Sequence, residues 1–237
     1  MKRRTVLGGL ALAIASVGGG MAVVLNRFAK AAPSGSPAKY PVTTAAMQER
    51  YVDEVRAFHK YSAYSHQAIE EGYPNIAYLF TSLAVSESVH ARNFKDLLHG
   101  FGVQPGPVTD MGMRVSKTKN NLKEATTVEA DEINHKYPAI VKEISAENNQ
   151  KAIEVTTWAW KAEEQHRKLI VQMQENVVKW WGIVSSRIEE KPVNYYVCQV
   201  CGSTLIKVPK DKCPICDSPA SSYKEIPPPP GYTTEKK

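Results

Sequence analysis

Two Glu-x-x-His pairs constrain this chain more than any other feature of its sequence. Glu87 and His90 lie in the stretch "IAYLFTSLAVSESVHARNFKDLL", and Glu163 and His166 lie in "WKAEEQHRKL". Residues three apart share one face of a helix, so each stretch predicts a helix that turns an acid and an imidazole toward the same side. Apolar residues on the same face predict that this side is the interior.

The region between residues 44 and 184 has the hydrophobic period of helices and little β-branched alternation. We expect four long helices, at about 44–71, 75–98, 118–147 and 149–183. The short breaks "EEGYPN" and "SAENNQ" separate the first helix from the second and the third from the fourth. A long connection with several Gly and Pro residues separates the second from the third. This order of short, long and short loops predicts a four-helix bundle with one crossover.

Two further carboxylates are needed from the first and third helices if both pairs are to hold metal. Glu54 lies 33 residues before Glu87, and Glu129 lies 34 residues before Glu163. This near-equal spacing places all of them at a similar depth in antiparallel helices. One Glu from each of two helices, with Glu-x-x-His from the other two, is the ligand set of di-iron carboxylate bundles.

A single Glu-x-x-His pair is better explained as a solvated helix face. Six such residues in register are not, because burying this many carboxylates without metal costs several kcal/mol per ion. The sequence therefore predicts a di-metal site. Oxygen and imidazole donors suit iron, and manganese remains an alternative.

All four cysteines lie in a C-terminal module, "NYYVCQVCGSTLIKVPKDKCPICDSPASSYKEI". They form two Cys-x-x-Cys knuckles, Cys198 with Cys201 and Cys213 with Cys216. This spacing favours a tetrathiolate metal site over disulfides, the alternative for an exported protein. The "CG" and "CP" dipeptides and the aromatic residues Tyr196 and Tyr223 resemble rubredoxin, whereas Ser203, Thr204 and Leu205 depart from it. A redox partner in the same chain favours iron, and a zinc ribbon stays open.

From about residue 44 to the C-terminus the chain resembles the rubrerythrins. The resemblance implies a mainly α, ferritin-like four-helix bundle with one long crossover, followed by a small β-rich, rubredoxin-like metal-binding domain. It implies a di-iron centre and one Fe(Cys)4 iron, with zinc as the alternative. The stretch "VEADEINHKYP" supplies the family's seventh ligand as Glu132. Tyr61 and Tyr137 match the tyrosines that hydrogen-bond the carboxylates in this family.

The resemblance also implies a role for each ligand. Glu87 and Glu129 bridge the two irons, and Glu163 with His166 holds one of them. The other iron is held by Glu54, served in addition by Glu132 when oxidised and by His90 when reduced.

The function that the resemblance implies is reduction of hydrogen peroxide to water, with electrons from an external donor passing through the rubredoxin-like centre. Such an oxidoreductase serves in oxidative-stress defence. The family also implies that the two centres of one chain lie far apart, so that a head-to-tail homodimer or higher homo-oligomer transfers electrons between subunits. The alternatives are a ferroxidase or iron-binding protein of the ferritin-like class and a di-metal protein stabilised by a zinc ribbon.

The N-terminus has the pattern of an export segment. Residues 1–31 contain a basic start with "RRTVL", an apolar run from residue 6 to 25 and "AKA" at 29–31, which predicts a twin-arginine-like signal peptide. An uncleaved membrane anchor is the alternative, and an exported or periplasmic location follows from either. These residues carry five positive charges and no acid, so the remainder has a net charge of +6 − 5 = +1, which gives no reason to expect a nucleic-acid partner.

The domain boundaries that follow from these patterns are approximate. We expect a signal or anchor (1–31), a tether (32–43), the di-iron domain (44–184), a linker (185–194), the rubredoxin-like domain (195–227) and a Pro-rich tail (228–237).

Overall fold

The computed structural model describes three stretches of the chain, residues 39–110, 112–178 and 193–233. Contacts divide the chain into residues 1–36 and 37–237, and every described residue belongs to the second unit. The predicted export segment and most of the predicted linker lie outside the described residues. No helix in the described stretches is long and apolar enough to cross a bilayer.

Helices make up most of the described chain. In order they are α1 (Pro41–Glu70), α2 (Pro74–Gly100), α3 (Thr118–Asp131), a π-helical segment (Glu132–Lys136), α4 (Tyr137–Ser145) and α5 (Gln150–Val178). The third arm of the bundle is the continuous run of α3, the π-helical segment and α4. The predicted four-helix bundle is confirmed, with residues 101–117 as its long crossover. Pro41 and Pro74 each occupy the first turn of their helix, where the missing N–H costs nothing.

The π-helical segment interrupts the third arm, which the sequence predicted as one regular helix. Its wider turn is closed by a hydrogen bond from the Tyr137 N–H to the Glu132 carbonyl. In a regular helix, eight residues at about 100° each would leave Tyr137 about 80° away from the Glu129 face. One extra residue in the turn cuts this difference to about 20°, so both side chains face the bundle interior.

The two helical hairpins cap each other through glutamates at their turns. Glu147 follows α4, and its carboxylate accepts the N–H groups of Val42 (3.0 Å) and Thr43 (2.8 Å) at the start of α1. Glu71 follows α1, and its carboxylate accepts the N–H of Thr118 (3.0 Å) at the start of α3. These N–H groups have no partner within their own helices, so the acids both satisfy them and favour the helix dipoles.

The interior of the bundle contains two separate apolar clusters. Residues of one cluster include Tyr61, Leu83, Leu122 and Ile170. Those of the other include Met47, Phe94, Tyr137, Ile144 and Val155. On every arm the predicted Glu and His ligands fall at or next to the boundary between the two clusters in sequence. The packing therefore leaves a polar layer at mid-height of the bundle.

The C-terminal part is a small three-stranded antiparallel sheet in the order β2-β1-β3. Its strands are β1 (Tyr196–Cys198), β2 (Thr204–Leu205) and β3 (Tyr223–Glu225). The predicted small β-rich domain is thus confirmed, and we call residues 195–226 the four-cysteine module. The knuckle that connects β1 to β2 turns at Gly202, whose φ of +84° favours glycine.

The Pro-rich tail, for which the sequence predicted no structural role, packs along the bundle. The Tyr78 hydroxyl donates to the Ile226 carbonyl, and the Tyr232 hydroxyl lies 3.1 Å from the Asn75 side-chain oxygen. The rings of Tyr78 and Tyr232 have centroids 5.5 Å apart. The described end of the chain is therefore tied to the N-terminal turns of α2.

Candidate metal centres

Two overlapping groups of donors lie in the polar layer of the bundle. Within each group the possible ligand atoms all lie within 4.8 Å of one another. The first group is Glu54, Glu87, His90 and Glu163; the second is Glu87, Glu129, Glu163 and His166. The shared residues are Glu87 and Glu163, whereas the family resemblance implied Glu87 and Glu129 as bridges. Two adjacent ion sites, each with three carboxylates and one imidazole, follow from this arrangement.

The two Glu-x-x-His pairs face each other across the layer. His90 Nδ1 lies 2.9 Å from Glu87 within its own helix and 3.2 Å from Glu163 on α5. His166 Nδ1 lies 2.8 Å from Glu163 within its own helix and 3.3 Å from Glu87 on α2. Both imidazoles therefore turn Nδ1 toward the carboxylates and Nε2 away from them.

The carboxylates and imidazoles of the layer are buried together, and this changes their protonation. Burial raises the pKa of Glu54 to about 8, against the opposing effect of a hydrogen bond with His90. Burial and the charges of Glu163 and Glu87 hold the pKa of Glu129 well above its usual range. Burial lowers the pKa of His166, but the carboxylates of Glu87 and Glu163 outweigh it and raise that pKa to about 9. Protons thus supply positive charge that this acidic layer otherwise lacks.

The donor set fits metal ions in a way that protons alone do not explain. Glu129 Oε2 is buried and has no hydrogen-bond partner among the residues that the structure describes. Buried polar atoms are rarely left unpaired, because each costs about 1–3 kcal/mol. A cation between the carboxylates satisfies this oxygen, and carboxylate with imidazole is a donor set that iron and manganese accept.

Two buried tyrosines hydrogen-bond the carboxylates, as the resemblance implied. The Tyr61 hydroxyl donates to Glu129 Oε1, and the Tyr137 hydroxyl donates to Glu54 Oε1 over 2.6 Å. Each tyrosine holds one carboxylate oxygen and leaves the other free for a metal. Such contacts fix the orientation of a ligand and tune its basicity.

Glu132, the predicted seventh ligand, lies apart from the two donor groups. Arg50 Nη1 and Lys136 Nζ each contact one of its oxygens at 2.7 Å. The structure therefore brings together six of the seven predicted ligands of the di-metal site. Trp160, one turn before Glu163, packs against the second apolar cluster and donates its indole N–H to the Ile133 carbonyl in the π-helical segment (3.0 Å).

The four cysteines form a second candidate centre. Their sulfur atoms all lie within 4.8 Å of one another, with Cys198 and Cys216 at 3.8 Å and Cys201 and Cys213 at 3.5 Å. A tetrahedral ion with metal–sulfur bonds of about 2.3 Å requires sulfur atoms about 3.8 Å apart. A disulfide requires about 2.05 Å, and all four thiols are free. The geometry therefore fits a tetrathiolate metal ion and not a pair of disulfides.

The four-cysteine module packs directly against the di-metal layer of its own chain. Ser86 Oγ donates to the Gly202 carbonyl over 2.5 Å and lies 2.9 Å from His166 Nε2. Thr204 Oγ1 lies 3.3 Å from the same His166 nitrogen. The expectation that the two centres of one chain lie far apart is therefore wrong, because Gly202, next to the ligand Cys201, touches the residues that flank the layer.

Polar contacts around this point hold the module in place. Arg92 donates to the Gln199 carbonyl (2.5 Å) and Asn93 donates to the Val200 carbonyl (2.8 Å). Gln165 Oε1 accepts the Ser203 hydroxyl (2.9 Å) and the Thr204 N–H (3.0 Å). Ser203 and Thr204, which depart from rubredoxin, thus serve the contact with the bundle. The sequence carried no signal for Ser86 or Arg50, since neither lies at ligand spacing.

Sequence comparisons relate this chain to the rubrerythrins and to nigerythrin. The sequence model described as "Rubrerythrin" matches residues 47–173. Rubrerythrin-2 of Clostridium acetobutylicum is 28% identical over 181 residues, which cover 75% of this chain and 93% of that protein. Nigerythrin of Nitratidesulfovibrio vulgaris is 28% identical over 172 residues, covering 72% and 79%.

Solved structures share the fold at low sequence identity. The fully reduced, all-ferrous state of nigerythrin superposes with a TM-score of 0.67 at 24% identity, covering 85% of this chain and 92% of that one. The Desulfovibrio desulfuricans bacterioferritin superposes with a TM-score of 0.55 at 14% identity, covering 60% and 83%. Both likenesses concern the arrangement of the helices.

Proposed function

Because the chain belongs to the rubrerythrin family, we propose that it reduces hydrogen peroxide to water at the di-metal layer, with electrons that enter through the four-cysteine module. The balanced reaction is one peroxide, two electrons and two protons to two waters. Its cofactors are a di-iron carboxylate centre and an Fe(Cys)4 centre. When bound, the iron pair supplies both electrons to the O–O bond, and the Fe(Cys)4 iron accepts single electrons from a donor.

The residues of the layer have two roles in this reaction, as ligands for the metal pair and as hydrogen-bond donors that orient those ligands. Four glutamates and two histidines from all four arms would hold the metal pair. Tyr61 and Tyr137 restrain one oxygen each of Glu129 and Glu54. The apolar clusters on both sides of the layer limit the access of water, which strengthens every charge interaction inside.

The observation that carries the proposal is the chain of contacts between the two centres. It runs from Cys201 through the Gly202 carbonyl to the Ser86 hydroxyl, and from there to His166 Nε2. A one-electron sulfur centre that is linked to a carboxylate di-metal site through Gly202 and Ser86 suits an oxidoreductase that is reduced repeatedly. A module that served only to stabilise the fold would not need this contact.

A single-turnover experiment tests the proposal. The full chain is loaded with iron, reduced without oxygen and mixed with one equivalent of hydrogen peroxide, and the visible spectrum is followed. We expect reoxidation to be much faster than in air-saturated buffer, with two electrons consumed per peroxide. Reoxidation by peroxide no faster than by air would rule the proposal out.

A ferroxidase or iron-binding function is the second candidate, since bacterioferritin shares the fold of the helices. Excess ferrous iron with oxygen separates the two functions. Continued uptake into a mineral favours storage, and a stop when the ligand groups are filled favours peroxide reduction. Elemental analysis of the same sample distinguishes iron from zinc in the four-cysteine module.

Export of the chain and its assembly are further parts of this proposal. The twin-arginine-like pattern in residues 1–31 supports a periplasmic or other extracytoplasmic location, with residues 6–25 as an anchor if they are retained. Replacing both Arg3 and Arg4 by Lys, followed by fractionation and N-terminal sequencing, tests transport and cleavage. The proposed homodimer or higher homo-oligomer is tested by the mass of the purified chain in solution.

A further inference from the structure

Glu132 is held outside the di-metal layer by two cations. Arg50 Nη1 contacts Oε2 and Lys136 Nζ contacts Oε1, both at 2.7 Å, and the Glu132 side chain is only 14% exposed. Hydrogen bonds between ionised groups are about twice as strong as neutral ones. Both oxygens of this carboxylate therefore already have strong partners one turn away from Glu129.

Arg50 is an unusual residue at this position because its side chain is 1% exposed. It lies on α1, one turn before Glu54, and also pairs with Asp53. Its guanidinium carbon lies 5.4 Å from the centroid of the Tyr137 ring, and Tyr137 in turn donates to Glu54. A buried guanidinium costs several kcal/mol of desolvation unless it is well paired. Arg50 thus links α1, the helix that carries the predicted ligand Glu54, to the π-helical segment.

We propose that Arg50 is a positioning residue that competes with the metal pair for the Glu132 carboxylate. The family resemblance already implies that Glu132 binds the oxidised pair, and the pairing with Arg50 sets how readily Glu132 leaves for the metals. The inference rests on the proposed di-metal site. It does not depend on peroxide as the substrate.

Charge balance decides which partner Glu132 takes. Two divalent ions carry +4, and the four glutamates of the layer carry −4, so a fifth carboxylate gains less at the ions than it gains from Arg50. Two trivalent ions carry +6 and leave an excess of +2, which attracts Glu132. The charge of Arg50 is the same in both cases. Burial acts to lower the pKa of Arg50, but the acidic groups around it (Tyr137, Glu132, Glu54 and Asp53) outweigh burial and hold that pKa above the usual range. Arg50 therefore retains Glu132 with divalent ions and loses it to trivalent ions.

The backbone at this point is suited to such an exchange. Glu132 is the first residue of the π-helical segment, and π-turns within α-helices occur frequently at functional sites. The neighbouring Ile133 carbonyl is fixed by the Trp160 indole. The segment is thus anchored beside Glu132 while the Glu132 side chain has two sets of partners.

The test is a double-mutant cycle measured with Co²⁺ on the metal-free full chain. The variants are Arg50→Gln, Glu132→Gln and both together. Arg50→Gln is expected to tighten Co²⁺ binding about tenfold, since it removes the charge-assisted hydrogen bond that restrains Glu132. In the Glu132→Gln background, Arg50→Gln is expected to have only the smaller effect that the guanidinium charge exerts on Glu54.

A second measurement is the midpoint potential of the iron-loaded di-metal site. A freed Glu132 stabilises the more highly charged, oxidised pair, so Arg50→Gln is expected to lower this potential. The shift is expected to disappear when Glu132 is also replaced. A residue that only supported the fold would not shift the potential in a way that depends on Glu132.

Arg56→Gln is the matched control. Arg56 lies on the same helix and pairs with the same Asp53 at 3.7 Å, but it is 39% exposed and does not contact Glu132. It is expected to change neither Co²⁺ binding nor the potential. If Arg50→Gln fails to fold, Lys136→Gln replaces it, because Lys136 is 42% exposed and holds the other oxygen of Glu132; the same direction and a smaller size are expected.

Equal effects of Arg50→Gln with and without Glu132 would overturn the proposal, since Arg50 would then act on the site through its charge alone. Failure of the peroxide experiment with an intact Arg50–Glu132 coupling would remove peroxide as the substrate and leave the exchange in place. The two results are therefore distinguishable.

Discussion

Gly202 faces the imidazole of His90 so closely that a side chain at this position would collide with it. An added Cβ would lie 2.2 Å from His90 Nε2 and 2.8 Å from Ser86 Oγ. Real Cβ contacts do not reach these distances. The absence of a side chain at residue 202 is therefore what allows the four-cysteine module to rest on the di-metal layer.

Gly202→Ala is expected to separate the two centres without emptying either of them. Both sites should still bind iron, but transfer of electrons from the reduced four-cysteine module to the di-iron centre should slow by at least about tenfold. The reason is that the clash and the backbone strain of about 1–2 kcal/mol oppose the docked position. Stopped-flow reduction of the di-iron centre measures this rate.

Gly72→Ala provides the control for Gly202→Ala. Gly72 has a φ of +78°, and a Cβ there would meet nothing within 4 Å. It carries the same type of backbone strain without the clash. An equal loss of transfer rate in both variants would show that strain, and not contact with His90, is responsible.

Tyr61→Phe and Tyr137→Phe are each expected to weaken metal binding by about 10- to 100-fold, because each removes the hydrogen bond that orients one carboxylate. Competition with a chelator measures the affinity of each variant for Co²⁺. Tyr64→Phe is the comparison, since Tyr64 is equally buried but its hydroxyl contacts none of the layer's carboxylates. Unchanged affinity in both variants would mean that packing alone fixes Glu129 and Glu54.

Cys213→Ala is expected to separate the oxidation of the di-iron centre by peroxide from its re-reduction by a donor. The four-cysteine ion should be lost, and the reduced di-iron centre should still react once with peroxide at its normal rate. Re-reduction by a one-electron donor should slow, because the entry point for electrons is gone. Iron analysis and single- against multiple-turnover rates measure this, with Ser218→Ala, a non-ligand neighbour of Cys216, as the control. Normal multiple turnover in Cys213→Ala would exclude the module as the electron entry.

Glu147→Gln is expected to lower the free energy of unfolding by about 1 kcal/mol at neutral pH, the typical loss when a helix cap is weakened. Slight burial acts to raise the pKa of Glu147, but the N–H groups of Thr43 and Val42 lower it below its ordinary value of 4.5. A lowered folded-state pKa contributes stability above about pH 4.5, and this contribution is lost as the pH falls through the folded value.

The difference between the wild-type chain and Glu147→Gln should therefore be constant above about pH 5 and shrink below it. Denaturant unfolding of the metal-free chain across this range measures the difference. Glu143→Gln, at an exposed position on α4, should show no such dependence. A difference that persists unchanged at low pH would contradict the capping role.

The helical framework was predictable because its signals are periodic. The spacing of Glu54 to Glu87 and of Glu129 to Glu163 placed four carboxylates at one depth, and the structure gathers these residues with both histidines in one layer. The cysteine knuckles were equally direct, since Cys-x-x-Cys is a local pattern. Both predictions needed only the geometry of a helix or of a turn.

Contacts between distant elements could not be predicted from local patterns. A regular helix was assumed where the π-helical segment lies, and an inserted residue leaves no mark in the hydrophobic period of so short a stretch. Arg50 and Ser86 are ordinary residues in sequence. Their importance comes from Glu132 and Gly202, which lie 82 and 116 positions away along the chain.

The division of the bundle interior into two apolar clusters bears on the order of assembly. Each cluster draws side chains from all four arms of the bundle, so each joins the helices without help from the polar layer between them. In small metal-dependent folds the binding energy of the metal is the folding energy. Here two apolar clusters lie outside the metal layer, so we expect the chain to fold before it binds metal. We therefore expect that removal of the metals leaves a folded bundle, which binds metal again when the ions are returned.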